Sequence, residues 1–261
     1  LDFPATIESE AIFPRKRELG DPGYFNSAFF TASLFGAHSP GLSDADDANF
    51  QVFAVRTGSS PADYDTKDAF FMLTSSDTGR GFPFSAITSS VYTDVYDDTK
   101  WNFAVRLIHD KYRQNNTVTG VTGSAGSNRP TYTVEFYGVN TVLGEVIDEF
   151  TVSSSVSLAL AEGFSTGSQR LYAGAHRTDF TGTLLQNSDV RISSLRYWQN
   201  YVDNDTIKAH AKDPTNYGLK NPYQNLSLFH TGANKVFTPS IESLALNWDF
   251  ETITGSNPDG C

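Results

Sequence analysis

From Tyr24 onward the chain runs in short apolar stretches separated by clusters of Gly, Pro, Ser, Asn and Asp, the texture of strands joined by turns. The runs are Phe29–Phe35, Phe50–Arg56, Ala69–Thr74, Trp101–Leu107, Tyr132–Tyr137, Glu145–Val152, Leu171–Ala175 and Ser188–Trp198. Trp101, Phe103, Val105 and Leu107 alternate with polar or small residues, so a strand places all four on one buried face. Val134 and Phe136 share a face for the same reason, as do Val190 and Ile192. One segment has helical spacing instead: Asp203 is positioned as an N-cap, Ile207 and Ala211 lie four apart, and Asp213-Pro214 ends the run. About ten strands and one short helix, with no strand–helix alternation, predict an all-β sandwich of two antiparallel sheets.

Residues 1–23 carry Pro4, Pro14, Gly20, Pro22 and Gly23 and show little period, so they are expected to form an extended lead-in arm. The sandwich is expected over 24–218. Residues 219–261 are expected to be a connector and the start of a following β unit at Leu244–Phe250, with the chain a piece of a longer one.

Composition narrows the class. Aromatic residues are 13% of the 261 and charged residues 19%, which suits a packed β core and not a disordered chain. The net charge of −11 repels nucleic acid, and the densest basic stretch, Arg15-Lys16-Arg17, is too short to form a groove. Cys261 is the single cysteine, so no internal disulfide and no cysteine-based zinc site can form. No run approaches the length of a membrane span.

The segment Arg170–His176, then Phe180-Thr181-Gly182, then Val190–Trp198 and the helix at Ile207 resembles the end of a laminin-G-like domain of the concanavalin A-like jelly-roll class. Trp101–Val105 is similar to a central strand of that family. The resemblance covers roughly residues 24–218 and implies the sandwich fold, on which lectins, hydrolases, adhesion modules and structural modules all occur. Phe50–Arg56, Trp101–Arg106, Leu171–Arg177 and Asp213–Gly218 also look like laminin-G-like modules in large virion structural proteins of tailed bacteriophages, which implies a virion location.

Candidate chemistry is sparse. Glucanases of this class carry carboxylates at alternate positions of one strand; Glu145 and Asp148 are three apart and Asp148 and Glu149 adjacent, so they diverge. Gly163–Gly167 matches G-x-S-x-G around Ser165 but lacks the strand–turn–helix setting of a nucleophile elbow. Asp44, Asp46 and Asp47, with Asn49, offer oxygen ligands suited to Ca²⁺ without EF-hand spacing, and Asp94, Asp97 and Asp98 form a second acidic rim. His38 and His176 each follow a Gly-Ala dipeptide at a strand end, where packing or hydrogen bonding is the expected role. Tyr64, Tyr112, Trp198 and Tyr201 are candidates for stacking on sugars, and Asn115, Asn204 and Asn225 stand in glycosylation sequons.

No catalytic residue and no cofactor is therefore expected, Ca²⁺ apart. The function expected is a non-enzymatic structural module of a larger assembly, with other structural proteins or further modules of the same chain as partners. The alternatives are a carbohydrate-binding or adhesion module outside the cell or at its surface, and a glycoside hydrolase. Apolar residues in the two ends, such as Ile7, Phe13, Leu244 and Trp248, are expected to pack on neighbours.

Overall fold

A computed structural model describes residues 4–15, 31–38, 48–57, 66–75, 84–109, 132–156, 169–177, 182–218, 226–231, 234–239 and 243–250. Its strands are β1 (Ala5–Phe13), β2 (Thr31–His38), β3 (Ala48–Arg56), β4 (Ala69–Thr74), β5 (Ile87–Thr88), β6 (Thr99–His109), β7 (Tyr132–Val142) and β8 (Glu145–Val156). They continue with β9 (Arg170–Ala173), β10 (His176–Arg177), β11 (Leu184–Gln186) and β12 (Arg191–Trp198), then helix α1 (Asn204–Lys212), then β13 (Leu226–Thr231), β14 (Asn234–Pro239) and β15 (Leu244–Trp248).

Two large antiparallel sheets form an all-β sandwich. One has six strands in the order β15-β12-β1-β6-β7-β8, the other five in the order β5-β4-β3-β2-β9; β10-β11 and β13-β14 form two-stranded ribbons.

The period-two faces explain the core. Trp101, Phe103, Val105 and Leu107 of β6 are all buried, and Val134 and Phe136 of β7 lie beside them. The facing sheet supplies Phe50, Val52 and Ala54 from β3 and Phe71 and Leu73 from β4. Phe71 is the hub, with ring centroids 4.7 Å from both Trp101 and Phe103 and 5.7 Å from Phe150. Val190 and Ile192, expected in the same interior, are only half-buried and pack against its margin. Each fully buried side chain of this size contributes about 1.5–3 kcal/mol, so the six-residue face shared by β6 and β7 alone outweighs any single surface ion pair.

The first strand corrects the domain boundary expected at residue 24. Residues 5–13 are not an arm outside the sandwich but a strand in the middle of the larger sheet, between β12 and β6. Ala5, Ile7, Ala11 and Phe13 enter the core. Their alternation is interrupted by Ser9 and framed by Glu8 and Glu10, which disguises the strand in the sequence. At the other end, β15 pairs with β12 instead of opening a following unit. Leu244 and Phe250 pack on the cores of this sandwich, and Trp248 stays 39% exposed. Ala5, Ile7, Ala11 and Phe13 are thus spent inside the domain, whereas Leu244, Leu246 and Phe250 are only half-buried against it.

The helix forms where its signals lie. Asp203 is the N-cap, with its Oδ1 accepting from the Thr206 amide at 2.7 Å, and Ile207 and Ala211 are fully buried. Helix α1 packs on the outer face of the six-stranded sheet, over β6 and β7. There it makes a second, smaller core with Ala104, Tyr137, Val139, Trp198 and Val202. Among the described residues no helix is long and apolar enough to cross a membrane.

Gly138 of β7 marks the tightest point of the main core. A Cβ there would lie 2.3 Å from the Phe150 ring and 3.1 Å from Phe103. Gly138→Ala is expected to lower stability by about 1–3 kcal/mol through overpacking, checked as a lower urea midpoint at unchanged slope.

Candidate functional site

The outer face of the six-stranded sheet carries the densest polar chemistry among the described residues. Antiparallel register lines up Arg196 with Glu8 and Glu8 with Ala104, and two residues along it lines up Thr6 with Arg106 and Arg106 with Glu135. Alternation sends the other half of these strands into the core, so every residue in this row points outward toward α1.

Glu8 is fully buried, as is His210 of α1, and Arg196 is 2% exposed. Arg196 Nη1 donates to Glu8 Oε1 at 3.0 Å, and His210 Nδ1 lies 2.9 Å from Glu8 Oε2. The His210 ring stacks on Trp198, 5.6 Å between centroids at 11°. Arg196 also donates to the carbonyls of Pro214 and Asn216, and its Nε donates to Asn247 Oδ1 of β15. Tyr217 covers the guanidinium at 4.8 Å. Beside this cluster Glu10 pairs with Lys100 at 3.3 Å and accepts from Ser193 Oγ at 2.6 Å. Lys100 in turn donates to the Ala211 carbonyl at 2.8 Å, neutralising the helix's negative C-terminal end.

At the other end of the helix a polar cleft of ≈ 380 Å³ opens, lined by Arg106, Glu135, Thr151, Tyr201, Asp203, Asn204 and Asp205. Arg106 is 1% exposed and lies between the rings of Tyr137 and Tyr201, at 5.2 and 5.0 Å. Its Nη1 donates to the Val202 carbonyl, and its Nε lies 3.4 Å from Glu135 Oε2. Tyr201 donates its hydroxyl to the same carboxylate oxygen at 3.0 Å. Burial pushes the Tyr201 pKa up to about 12; Glu135 adds to the rise while Arg106 opposes it, so the phenol stays protonated and a donor. Along β8, Glu149 accepts from Tyr137 at 3.1 Å and pairs with Lys208 of α1 at 2.7 Å.

The carboxylates singled out in the sequence do not converge. Glu149 is taken by Lys208 and Tyr137, while Glu145 lies exposed opposite Val142 at the hairpin end and Asp148 lies opposite Asn140. Asp97 pairs with Lys67 at 3.1 Å and Arg15 at 3.4 Å, Asp98 accepts from the Arg15 amide, and Asp94 uses its backbone amide to donate to the Asp68 carboxylate. No cluster of three or more His, Cys, Asp or Glu able to hold a metal gathers among the described residues. Asp44, Asp46 and Asp47 lie outside the described residues, as do Ser165, Tyr64, Tyr112, Asn115 and Asn225.

Trp198, a candidate for sugar stacking, is fully buried under α1, whereas Tyr201 lines the cleft. Asn204 is half-buried, with its Oδ1 closed off and its amide donating to Thr151, so it is a poor glycosylation acceptor. His38 and His176, far apart in sequence, come together on the outer face of the five-stranded sheet with ring centroids 5.1 Å apart. A left-handed Gly174 (φ 78°) turns the chain so that His176 stacks on Tyr172 at 4.4 Å. Burial, with the neighbouring His38, pulls the His176 pKa down to about 4, so this imidazole is neutral at physiological pH and packs as an aromatic ring. The expected packing role suits this geometry. The repeated Gly-Ala-His tripeptide was the only signal that could have paired the two.

Removing the central carboxylate of the buried cluster tests its place in the fold. Glu8→Leu leaves Arg196 and His210 without their counter-charge and is expected to cost about 3–5 kcal/mol, read from chemical denaturation at pH 6. No protein family's sequence profile matches the chain, and no curated protein does.

Proposed function

We propose that this chain is a non-enzymatic interaction module of a larger assembly, of the laminin-G-like kind found in virion structural proteins. The observation that carries the reading is the tip of the β7–β8 hairpin. Leu143 is fully exposed and holds a left-handed backbone, φ 51°, next to Gly144 at φ 83°. Hairpin turns of this kind favour Asn or Asp followed by Gly, because a branched apolar side chain gains nothing there and strains the backbone. Val142 and Ile147 beside it are 48% and 58% exposed. Three large exposed apolar side chains at one end of the hairpin, one of them held at a conformational cost, suit a contact with another chain.

The commitments of the carboxylates support the non-enzymatic part. Glu8, Glu10, Glu135, Glu149, Asp97 and Asp189 each hold a cationic side chain. An acid–base pair for glycoside hydrolysis needs two carboxyl groups flanking an open substrate position, one of them free to carry a proton.

Leu143→Asn tests the reading. Asparagine tolerates the left-handed backbone, so the isolated variant should melt at the same temperature or higher. Association with the native assembly should weaken about tenfold or more, as for loss of an interface anchor. An interface map showing the tip bare, together with normal incorporation of the variant, would sink the proposal.

A second reading rests on the cleft beside α1. Its volume lies in the range of small-ligand sites, and it combines a half-buried tyrosine with carboxylate, amide and hydroxyl groups, a set suited to a neutral sugar. Titration with neutral oligosaccharides should then shift the NMR signals of Thr151 and Tyr201, and Tyr201→Ala should abolish the shifts. Unmoved signals at millimolar sugar exclude this reading.

A further inference from the structure

His210 sits between two acceptors. Its Nδ1 faces the Glu8 carboxylate at 2.9 and 3.1 Å, and its Nε2 faces the Gly218 carbonyl at 3.0 Å. A carboxylate and a carbonyl both accept, so both ring nitrogens must carry hydrogen for both contacts to hold. Only the imidazolium does this. A neutral ring has one N–H and must turn a lone pair toward one of the two oxygens.

Which contact fails is set by the surroundings. Arg196 donates to Glu8 Oε1 from the β12 side, and the paired carboxylate is the stronger acceptor, so it retains the Nδ1 hydrogen. The Nε2 lone pair is then left facing the Gly218 carbonyl. Gly218 ends the segment 213–218, whose other anchors are the Pro214 and Asn216 carbonyls on Arg196 and the capping bonds of Asp213. Among the described residues, the charged and polar groups around the site are Glu8 on β1, Arg196 on β12 with Asn247 of β15 bonded to it, Asp213 after the helix and the ring faces of Trp198 and Tyr217.

We propose that His210 and Glu8 form a proton-operated latch that fastens the chain segment leaving α1 to the sandwich and releases its Gly218 end as pH rises. The latch acts on the exit of the helix and leaves the six-stranded sheet intact, because Glu8 keeps Arg196 and the α1 apolar face stays buried. The contacts that hold the latch are made by β1, β12, α1 and the segment after it and do not use the hairpin tip.

The direction of titration agrees. Burial alone would lower the His210 pKa, but the hydrogen bond and charge of Glu8, with the Gly218 carbonyl, outweigh it and the net shift is upward. A group whose pKa is raised on folding stabilises fully below its unfolded value, near 6.5. That contribution is lost as pH climbs through the raised native value. The window for release therefore opens above the ordinary histidine range.

The experiment follows the unmodified chain by NMR and amide exchange from pH 5 to pH 9. The expected result is a His210 ring titrating above the ordinary value, with Nε2 losing the proton. The amides of residues 215–218 should lose protection, corrected for intrinsic exchange, across the same midpoint, by about tenfold for each unit of upward shift. Glu8→Gln should move that midpoint to lower pH, and His210→Gln should make protection of 215–218 independent of pH. Should either variant fail to fold, the wild-type titration decides alone. A His210 midpoint at or below 6.5, or protection of 215–218 that does not follow it, overturns the latch.

Discussion

Burial of Glu8 and Glu10 in the central strand of the larger sheet is the constraint from which the outer face of this molecule follows. Strand β1 has five positions facing the core and places its carboxylates on the opposite face, under the helix, where Glu8 is 0% and Glu10 5% exposed. An ionised carboxylate in such a place needs cations and hydrogen bonds at close range, since its desolvation cost is several kcal/mol. The neighbouring strands and the helix supply them: Arg196 from β12, Lys100 from β6, His210 from α1 and Ser193 from β12. The helix is therefore positioned by two independent forces. Its apolar stripe covers Ala104, Tyr137 and Val139, and its last turn brings His210 onto Glu8 while Lys100 caps its carbonyls.

This arrangement ties together parts of the chain that are distant in sequence. Glu8 and His210 are 202 residues apart, and Arg196 links Glu8 to the loop after the helix and to β15. The N-terminal strand, the helix and the last described strand thereby close one face of a single sandwich. The same economy leaves few charges without work on that face, which is why the hairpin tip, projecting beyond the helix with Leu143 uppermost, stands out as the place where stability was not the consideration. The main core has enough aromatic burial around Phe71 to carry such local strain.

The sandwich class, the buried faces of β6 and β7 and the position and cap of α1 were all legible in the chain, because each rests on local periodicity or on a capping residue that acts within three positions. Strand β1 was not, because inward Ser9 and outward Ile12 break its polar–apolar alternation and only Ile7 and Phe13 of its inward positions are large and apolar. β15 reads as a strand in the chain but not as a member of this sheet, since sequence shows a strand's pattern and not its partner. The faces taken by Glu145, Asp148 and Glu149 could not be deduced from spacing alone, because a register shift in the β7–β8 pairing at Asn140/Thr141 interrupts the alternation between Glu145 and Asp148. The gathering of Glu8, Arg196 and His210, or of His38 and His176, could not either, because these residues belong to different strands whose register is set by pairing across the sheet. By itself the sequence determined which segments extend, which one coils and which faces turn inward, all consequences of backbone geometry repeated every two or 3.6 residues. Only the tertiary structure decided which charges meet, because that depends on strand order and register, and these are fixed by burying the whole core at once.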